Sequence, residues 1–259
     1  MKVIYATDLD RTLIFSKRFL DEYNNNETEY SLVETFEGKE ISYISNKVKN
    51  KLHELNNNSN VEIVPVTSRS IDEYNRIKLP ITPEYTILSC GGTILKNGEP
   101  IKEYEDYLSR NIKRIEMMSL AMDLEDLKSV NRDSKFIDNK YIFTKTDNPE
   151  YFDSEIEALN YKYPNFIITR QKFKVYAVPS CFNKGVALRW LQNYLGINKI
   201  VASGDSELDL PMLAIANYAV IPDHGELIKN GYVKDGRIVS DDINSPLHTI
   251  KLVETVSNE

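Results

Sequence analysis

The chain has 259 residues, 41% hydrophobic and 27% charged, as expected of a globular protein with one large domain or two modest ones. Its formal net charge is −7 and no basic stripe stands out, so nucleic acid is excluded as an expected partner. Two cysteines, Cys90 and Cys181, make neither a disulfide framework nor a zinc site, and no apolar run reaches the ~20 residues of a membrane span. Charge arrives too early, at Asp8, for a signal peptide, and a reducing cytoplasm is the expected setting.

In chain order, VIYATDL (Val3–Leu9) is a continuous apolar run, the pattern of a strand buried on both faces. The Asn24–Asn26 and Asn56–Asn58 triplets read as loop composition. ETEYSLVETFEGKEISYIS predicts an irregular hairpin with Gly38 near its turn, and Ser45 is placed to cap a helix with Val48, Leu52 and Leu55 on its apolar face. VEIVPVT (Val61–Thr67) reads as a second buried strand despite Pro65. A short helix over Ile71–Ile77 leads to a third strand, Tyr85–Cys90. Alternating strands and helices of this kind predict a doubly wound parallel sheet, an α/β core.

The pattern then changes. Asn97-Gly98 between extended segments signals a hairpin, and a helical stretch is predicted over Glu105–Ala121. KFID and KYIFTKT form a hairpin-like pair, a helix follows near Pro149–Tyr161, and FIITR and KVYAVPS read as two more strands. After Asn183 the alternation returns, with a helix over Lys184–Leu195 ending at Gly196, the strand KIVASGD, another helix and the strand YAVIP. An α+β insertion at 91–181 is therefore expected inside a Rossmann-like core made of 1–90 and 182–259.

Ligands of such sheets bind at the carboxyl ends of the strands. Those ends carry Asp8-Leu9-Asp10-Arg11-Thr12, Thr67-Ser68-Arg69 and Gly204-Asp205-Ser206-Glu207-Leu208-Asp209, with Lys184 at a helix start between them. Four aspartates, a lysine and several hydroxyls on one rim suit Mg²⁺ with a phosphate ester, because Mg²⁺ takes hard oxygen ligands and lysine acts as a point charge on phosphate. Two neighbouring aspartates repel each other, which makes sense where one attacks phosphorus, the other moves protons, and a cation offsets the pair.

DLDRT, TSR, Lys184 and GDSELD resemble the four ordered motifs of the haloacid dehalogenase superfamily of phosphotransferases. The insertion resembles the cap of the subfamily (IIB) that includes sucrose-phosphate and trehalose-phosphate phosphatases. The resemblance implies Asp8 as nucleophile and Asp10 as acid/base. It implies Mg²⁺ on the Asp8 carboxylate, the Asp10 backbone carbonyl and Asp205, with Asp209 supporting, and phosphate and substrate binding by Thr67, Ser68, Arg69 and Lys184. It also implies a cap that closes over the core and sets specificity, with Arg170 and Lys172 near a hairpin tip as candidates. Many relatives have glycine where Arg11 stands and asparagine where Leu208 stands.

Taken singly, these residues have plainer readings: Asp8 and Asp10 a polar turn, Asp205 and Asp209 an acidic pair at a helix N-terminus, Arg69 a structural ion pair. His224 reads as a loop or capping residue and Asp241-Asp242 as a solvated turn. The expected function is a Mg²⁺-dependent phosphatase acting on a small phosphorylated metabolite, a sugar phosphate by family resemblance. The alternatives are a phosphomutase on the same scaffold and a non-catalytic phosphometabolite-binding module.

Overall fold

The computed structural model of the chain describes residues 2–23, 29–130, 132–232, 237–240 and 244–259. Asn24–Asn26 and Asp241-Asp242 lie outside the described residues. The chain divides into two compact units, Met1–Pro100 with Lys184–Glu259, and Ile101–Asn183. Two antiparallel strands stay with the first unit, Thr93–Lys96 paired on Tyr85–Leu88 and Glu99–Pro100 paired on Thr93–Lys96.

At the heart of the first unit is a five-stranded parallel sheet. Its order is Arg237–Ser240, Tyr218–Pro222, Lys199–Ser203, Val3–Thr7, Val61–Pro65. Every residue of Val3–Thr7 is buried, as its unbroken apolar run predicts, and Tyr5 pairs with Val201 on one side and Ile63 on the other. Pro65 has no N–H to give, but Val66 N donates to Thr7 O (2.8 Å), so the ladder continues past it. Beyond that edge Tyr85–Leu88 joins through the parallel bridge Val66–Ile87. Numbered along the chain, the parallel strands run 3-2-1-4-5-6, an order that reverses between Val3–Thr7 and Lys199–Ser203. Helices Asn46–Asn56 and Ser245–Ser257 bury Val48, Leu52, Leu55, Ile250, Val253 and Val256 in one cluster with Val3 and Tyr5.

Strands Tyr30–Phe36 and Lys39–Ser45 form the expected hairpin, turned by Glu37 and Gly38 at positive φ. Its register slips on both sides of Glu34. Ser45 occupies the N-cap position of its helix, but its hydroxyl makes no capping bond. The next helix is shorter than expected, Ile71–Asn75 rather than Ile71–Ile77, and is closed at its start by a capping box between Ser70 and Glu73.

The second unit is α+β. Its antiparallel sheet runs in the order Phe166–Gln171, Lys174–Pro179, Tyr141–Lys145, Lys135–Ile137. Helix Pro149–Lys162 starts with Asn148 capping Tyr151 N and buries Phe152 and Leu159. The single helix expected over Glu105–Ala121 is two, Lys102–Asn111 and Arg114–Glu125. The break falls at Ile112, whose backbone is extended (φ −71°, ψ 122°) and whose side chain is buried. Breaking there lets Tyr104 and Leu108 of the first helix, and Met117, Leu120 and Leu124 of the second, all be buried. Among the described residues no helix is long and apolar enough to cross a membrane.

Candidate active site

The reversal in strand order leaves a crevice at the carboxyl ends of Val3–Thr7 and Lys199–Ser203, and the acidic motifs begin where these strands end. Asp8 N donates to Ser203 O (2.9 Å), which ties the first motif to the last. Asp8, Asp205 and Asp209 are buried, and one carboxylate oxygen from each lies within 4.8 Å of the other two.

Two glycines permit this closeness. A Cβ on Gly204 would lie 2.5 Å from the Asp209 Cβ, so glycine allows the chain to fold back over Asp209. A Cβ on Gly185 would lie 2.3 Å from Pro211 O, so glycine also lets helix Lys184–Leu195 approach the turn that carries Asp209. Lys184, buried at the first position of that helix, then donates to Asp8 Oδ1 (2.7 Å) and Asp209 Oδ1 (2.6 Å).

The three carboxylates have different surroundings. Asp209 is saturated: Oδ1 accepts from Lys184, and Oδ2 accepts from Asp205 N, Ser206 N and Ser206 Oγ at 3.0–3.1 Å. Among the described residues Asp205 Oδ2 is buried with no hydrogen-bond partner, and it forms an ion pair with Arg11 Nη1 at 3.5 Å. Burial pushes the Asp8 carboxyl well above the usual range; Lys184 opposes this, while Asp209, Asp205 and Asp10 add to it. Burial, then the Asp209 charge, pushes Asp205 up to about 7 against Arg11 and Lys184. Burial alone would favour a neutral lysine, but Asp209 and Asp8 outweigh it and hold Lys184 charged. Lys184 and the more distant Arg11 do not balance three buried carboxylates. The surplus negative charge, the all-oxygen donor set and the orphaned Asp205 oxygen fit a hard divalent cation such as Mg²⁺.

Asp10 is not in this cluster. Its carboxylate is half exposed and accepts from Arg69 Nε (2.7 Å) and Nη2 (2.8 Å). Thr67 is buried, with its N–H on Ile87 O and its hydroxyl accepting from Arg69 N (3.2 Å). Ser68 beside it is half-buried. The remaining Arg69 nitrogen, Nη1, donates to Glu34 Oε1 (2.8 Å), and Nη2 also lies 3.4 Å from Ser42 Oγ.

Two neighbours, Glu34 and Ser42, were not singled out from the sequence. They come from the hairpin, whose register gives no local sign of where a side chain will point. Arg11 has φ 62°, the left-handed region that favours glycine. Its guanidinium reaches Asp205 and His224 O (3.3 Å) and lies over the Phe19 ring. His224 is buried against Phe15 and Phe19, with Nε2 2.7 Å from Arg11 O, more integral than a loop cap. In the second unit Arg170 is held by Asp153 and Lys172 O.

The family model for sucrose-6F-phosphate phosphohydrolase matches residues 1–227. None of the curated protein sequences matches the chain. Among solved structures, the fold is similar to the sucrose-phosphatase of Synechocystis sp. PCC6803, solved with sucrose and phosphate. That match has a TM-score of 0.68 at 16% identity and covers 100% of this chain and 98% of that one. The phosphatase BT1666 of Bacteroides thetaiotaomicron matches with a TM-score of 0.61 at 18% identity, over 98% of this chain and 95% of its own. The HAD subclass IIB sugar phosphatase BT4131 matches with a TM-score of 0.62 at 13% identity, over 99% of this chain and 100% of its own.

Proposed function

The chain belongs to the sucrose-6F-phosphate phosphohydrolase family and is a haloacid dehalogenase-type phosphoric monoester hydrolase; from that premise we propose that it releases phosphate from a small phosphorylated sugar, with Mg²⁺, through a phosphorylated Asp8. The observation that carries this reading is the buried group of Asp8, Asp205 and Asp209 around Lys184 at the crevice of the sheet.

In this reading Asp8 and Asp205 hold the metal with side-chain oxygens and Asp10 with its backbone carbonyl, while Asp209 supports them. The bound cation supplies positive charge that offsets the crowded carboxylates and the incoming phosphate. Thr67, Ser68 and Lys184 bind the oxygens of the phosphoryl group. One Asp8 oxygen attacks phosphorus and the ester P–O bond breaks. Asp10 gives its proton to the leaving sugar oxygen. A water then attacks phosphorus, Asp10 takes up the proton, the Asp8–phosphorus bond breaks, and phosphate leaves with Asp8 restored. Arg69, which the family resemblance counts among substrate contacts, has its guanidinium engaged by Asp10 and Glu34. Ile101–Asn183 is read as the inserted cap domain, the source of substrate choice beyond the phosphoryl group.

The test is phosphate release from a panel of sugar phosphates that includes sucrose-6F-phosphate, with Mg²⁺ and with excess chelator. Release that needs Mg²⁺ and disappears in Asp8→Asn supports the proposal. Full release in chelator, or from Asp8→Asn, overturns it. An isomerised sugar phosphate as the main product would identify a phosphomutase instead.

A further inference from the structure

Arg11 follows Asp10 directly and sits at φ 62°, where a residue with a Cβ is strained and glycine is not. Its backbone is fixed around that torsion: Arg11 N donates to Ile14 O (2.8 Å), and His224 Nε2 lies 2.7 Å from Arg11 O. The side chain is fixed as well. Nη2 donates to His224 O (3.3 Å), and the guanidinium lies 5.3 Å from the centre of the Phe19 ring, which stacks on Phe15 and meets His224 edge to face. The loop that carries His224 is tied in turn to Asp205: Leu227 N donates to Asp205 O (3.1 Å), and a Cβ on Gly225 would lie only 3.0 Å from that oxygen. A guanidinium held by this loop and by Phe19 has a set place, with Nη1 3.5 Å from Asp205 Oδ2.

That contact is one of charge and not of hydrogen bonding. Among the described residues Asp205 Oδ2 is buried with no hydrogen-bond partner, and so is Arg11 Nε. Lys184 differs, since its Nζ donates at 2.7 Å to Asp8 and at 2.6 Å to Asp209. A cation that hydrogen-bonds a carboxylate orients it, whereas one that stands off acts through its field. The Asp205 side chain is only 4% exposed, so that field is weakly screened and repels a second cation brought to the same carboxylate.

We propose that Arg11 is a resident counter-ion of the metal site, which offsets Asp205 when no metal is bound and lowers the affinity for Mg²⁺. The inference rests on the reading of Asp8 and Asp205 as metal ligands. Arg11 and Mg²⁺ are attracted by the same carboxylate, so each weakens the other's hold on it. Glycine at this position would relieve the backbone and leave Asp205 to the metal alone. Arginine keeps the strain and makes occupancy of the site more dependent on the Mg²⁺ concentration.

The test is calorimetric titration of Mg²⁺ into the metal-free full chain, without substrate, at an ionic strength of about 0.15 M. Arg11→Gly suits the backbone and Arg11→Met keeps the bulk of the side chain. Both should lower the Kd for Mg²⁺ about tenfold or more, and either carries the test if the other fails to fold. Arg11→Lys, which keeps the charge, should stay within about threefold of wild type. Arg18→Met removes the same charge from an exposed position and should leave the Kd within about twofold. An unchanged Kd in the Arg11 variants, or equal tightening in Arg18→Met, would overturn the proposal. A raised Kd would overturn it too, in favour of an arginine that orients Asp205 for the metal. Asp205→Asn separates the two layers. If it abolishes binding and the Arg11 variants match wild type, the counter-ion role fails alone. If it binds Mg²⁺ as wild type does, or if neither wild type nor Arg11→Gly binds it, the metal-site reading fails and takes the inference with it.

Discussion

Asp8 and Asp205, in the unit Met1–Pro100 with Lys184–Glu259, are buried beside other carboxylates and pushed upward, Asp205 to about 7. Asp123 and Asp153, in the unit Ile101–Asn183, are more exposed, and hydrogen bonds from Lys162 and Tyr163 to Asp123, and from Arg170 to Asp153, pull them below the usual range. The contrast separates two uses of acidic residues. In the unit Ile101–Asn183 these two acids each have a cation beside them and favour the folded state at neutral pH. In the parallel-sheet unit the acids outnumber their cations, and ionising them opposes folding. An arrangement that costs stability is explained by what it binds, a recurring property of functional sites.

The largest difference between the units should come from removing a cation. Lys184→Met leaves Asp8 and Asp209 buried without the cation they share, and losing one member of a buried pair typically costs ~3–5 kcal/mol. Asp153→Asn, which breaks a solvent-screened pair in the other unit, should cost no more than about 0.5 kcal/mol. Urea unfolding of the two variants measures both. Equal costs would mean that the acidic cluster is not under the strain described.

A second difference lies in the response to Mg²⁺. A ligand that binds only the folded state at a hundred times its Kd adds ~2.7 kcal/mol, so the melting temperature should rise with Mg²⁺. Asp205→Asn should abolish that rise and, without metal, melt no lower than wild type, because it removes a buried carboxylate that lacks a hydrogen-bond partner on one oxygen. A normal Mg²⁺ response in Asp205→Asn would remove this residue from the metal site.

Opposite pH dependence sharpens the comparison further. Burial and the nearby Glu84 push Glu62, on strand Val61–Pro65, up to about 7, with Lys2 opposing. The folded state holds that proton more tightly than the unfolded chain does. Glu62 therefore adds stability at low pH that is lost as pH rises through about 7. Glu62→Gln should match wild type near pH 4 and exceed it at pH 8 by about 1 kcal/mol, after allowance for solvent screening. A gain at pH 4 of the same size would contradict the assignment. The smallest effect belongs to Asp123 and Asp153. Their stabilisation is present above the usual carboxylate range and lost as pH falls through it, so amide protection in Ile101–Asn183, taken relative to the intrinsic exchange rate at each pH, should weaken in acid by a few tenths of a kcal/mol per pair. Protection that strengthens in acid on that scale would reverse the sign.

What was legible in the sequence follows the same division. Val3–Thr7 reads as a buried strand because it is uncharged and mostly apolar, and the acidic motifs stand out because they interrupt such runs where strands end. Lys184 is conspicuous because a cation at a helix start opposes the dipole unless an anion is near. Glu34 and Ser42 were not legible, since a bulge rather than a residue type turns Glu34 inward. The break at Ile112 was not either: no glycine or proline marks it, and burial of two helix faces decides it. Arg11 stands out in the structure at φ 62°, a region that favours glycine, while its contacts to Asp205 and His224 emerge only in three dimensions.

The central claim is that phosphorus passes through Asp8. Acid quenching during turnover of sucrose-6F-phosphate with Mg²⁺, followed by mass spectrometry of the peptides, tests it directly. The account predicts a phosphoryl group on the peptide that contains Asp8, localised to that residue, present in wild type, accumulating in Asp10→Asn if hydrolysis slows more than formation, and absent from Asp8→Asn. Rapid phosphate release by wild type with no phosphoryl group on Asp8 at any quench time, and undiminished release by Asp8→Asn, would contradict it.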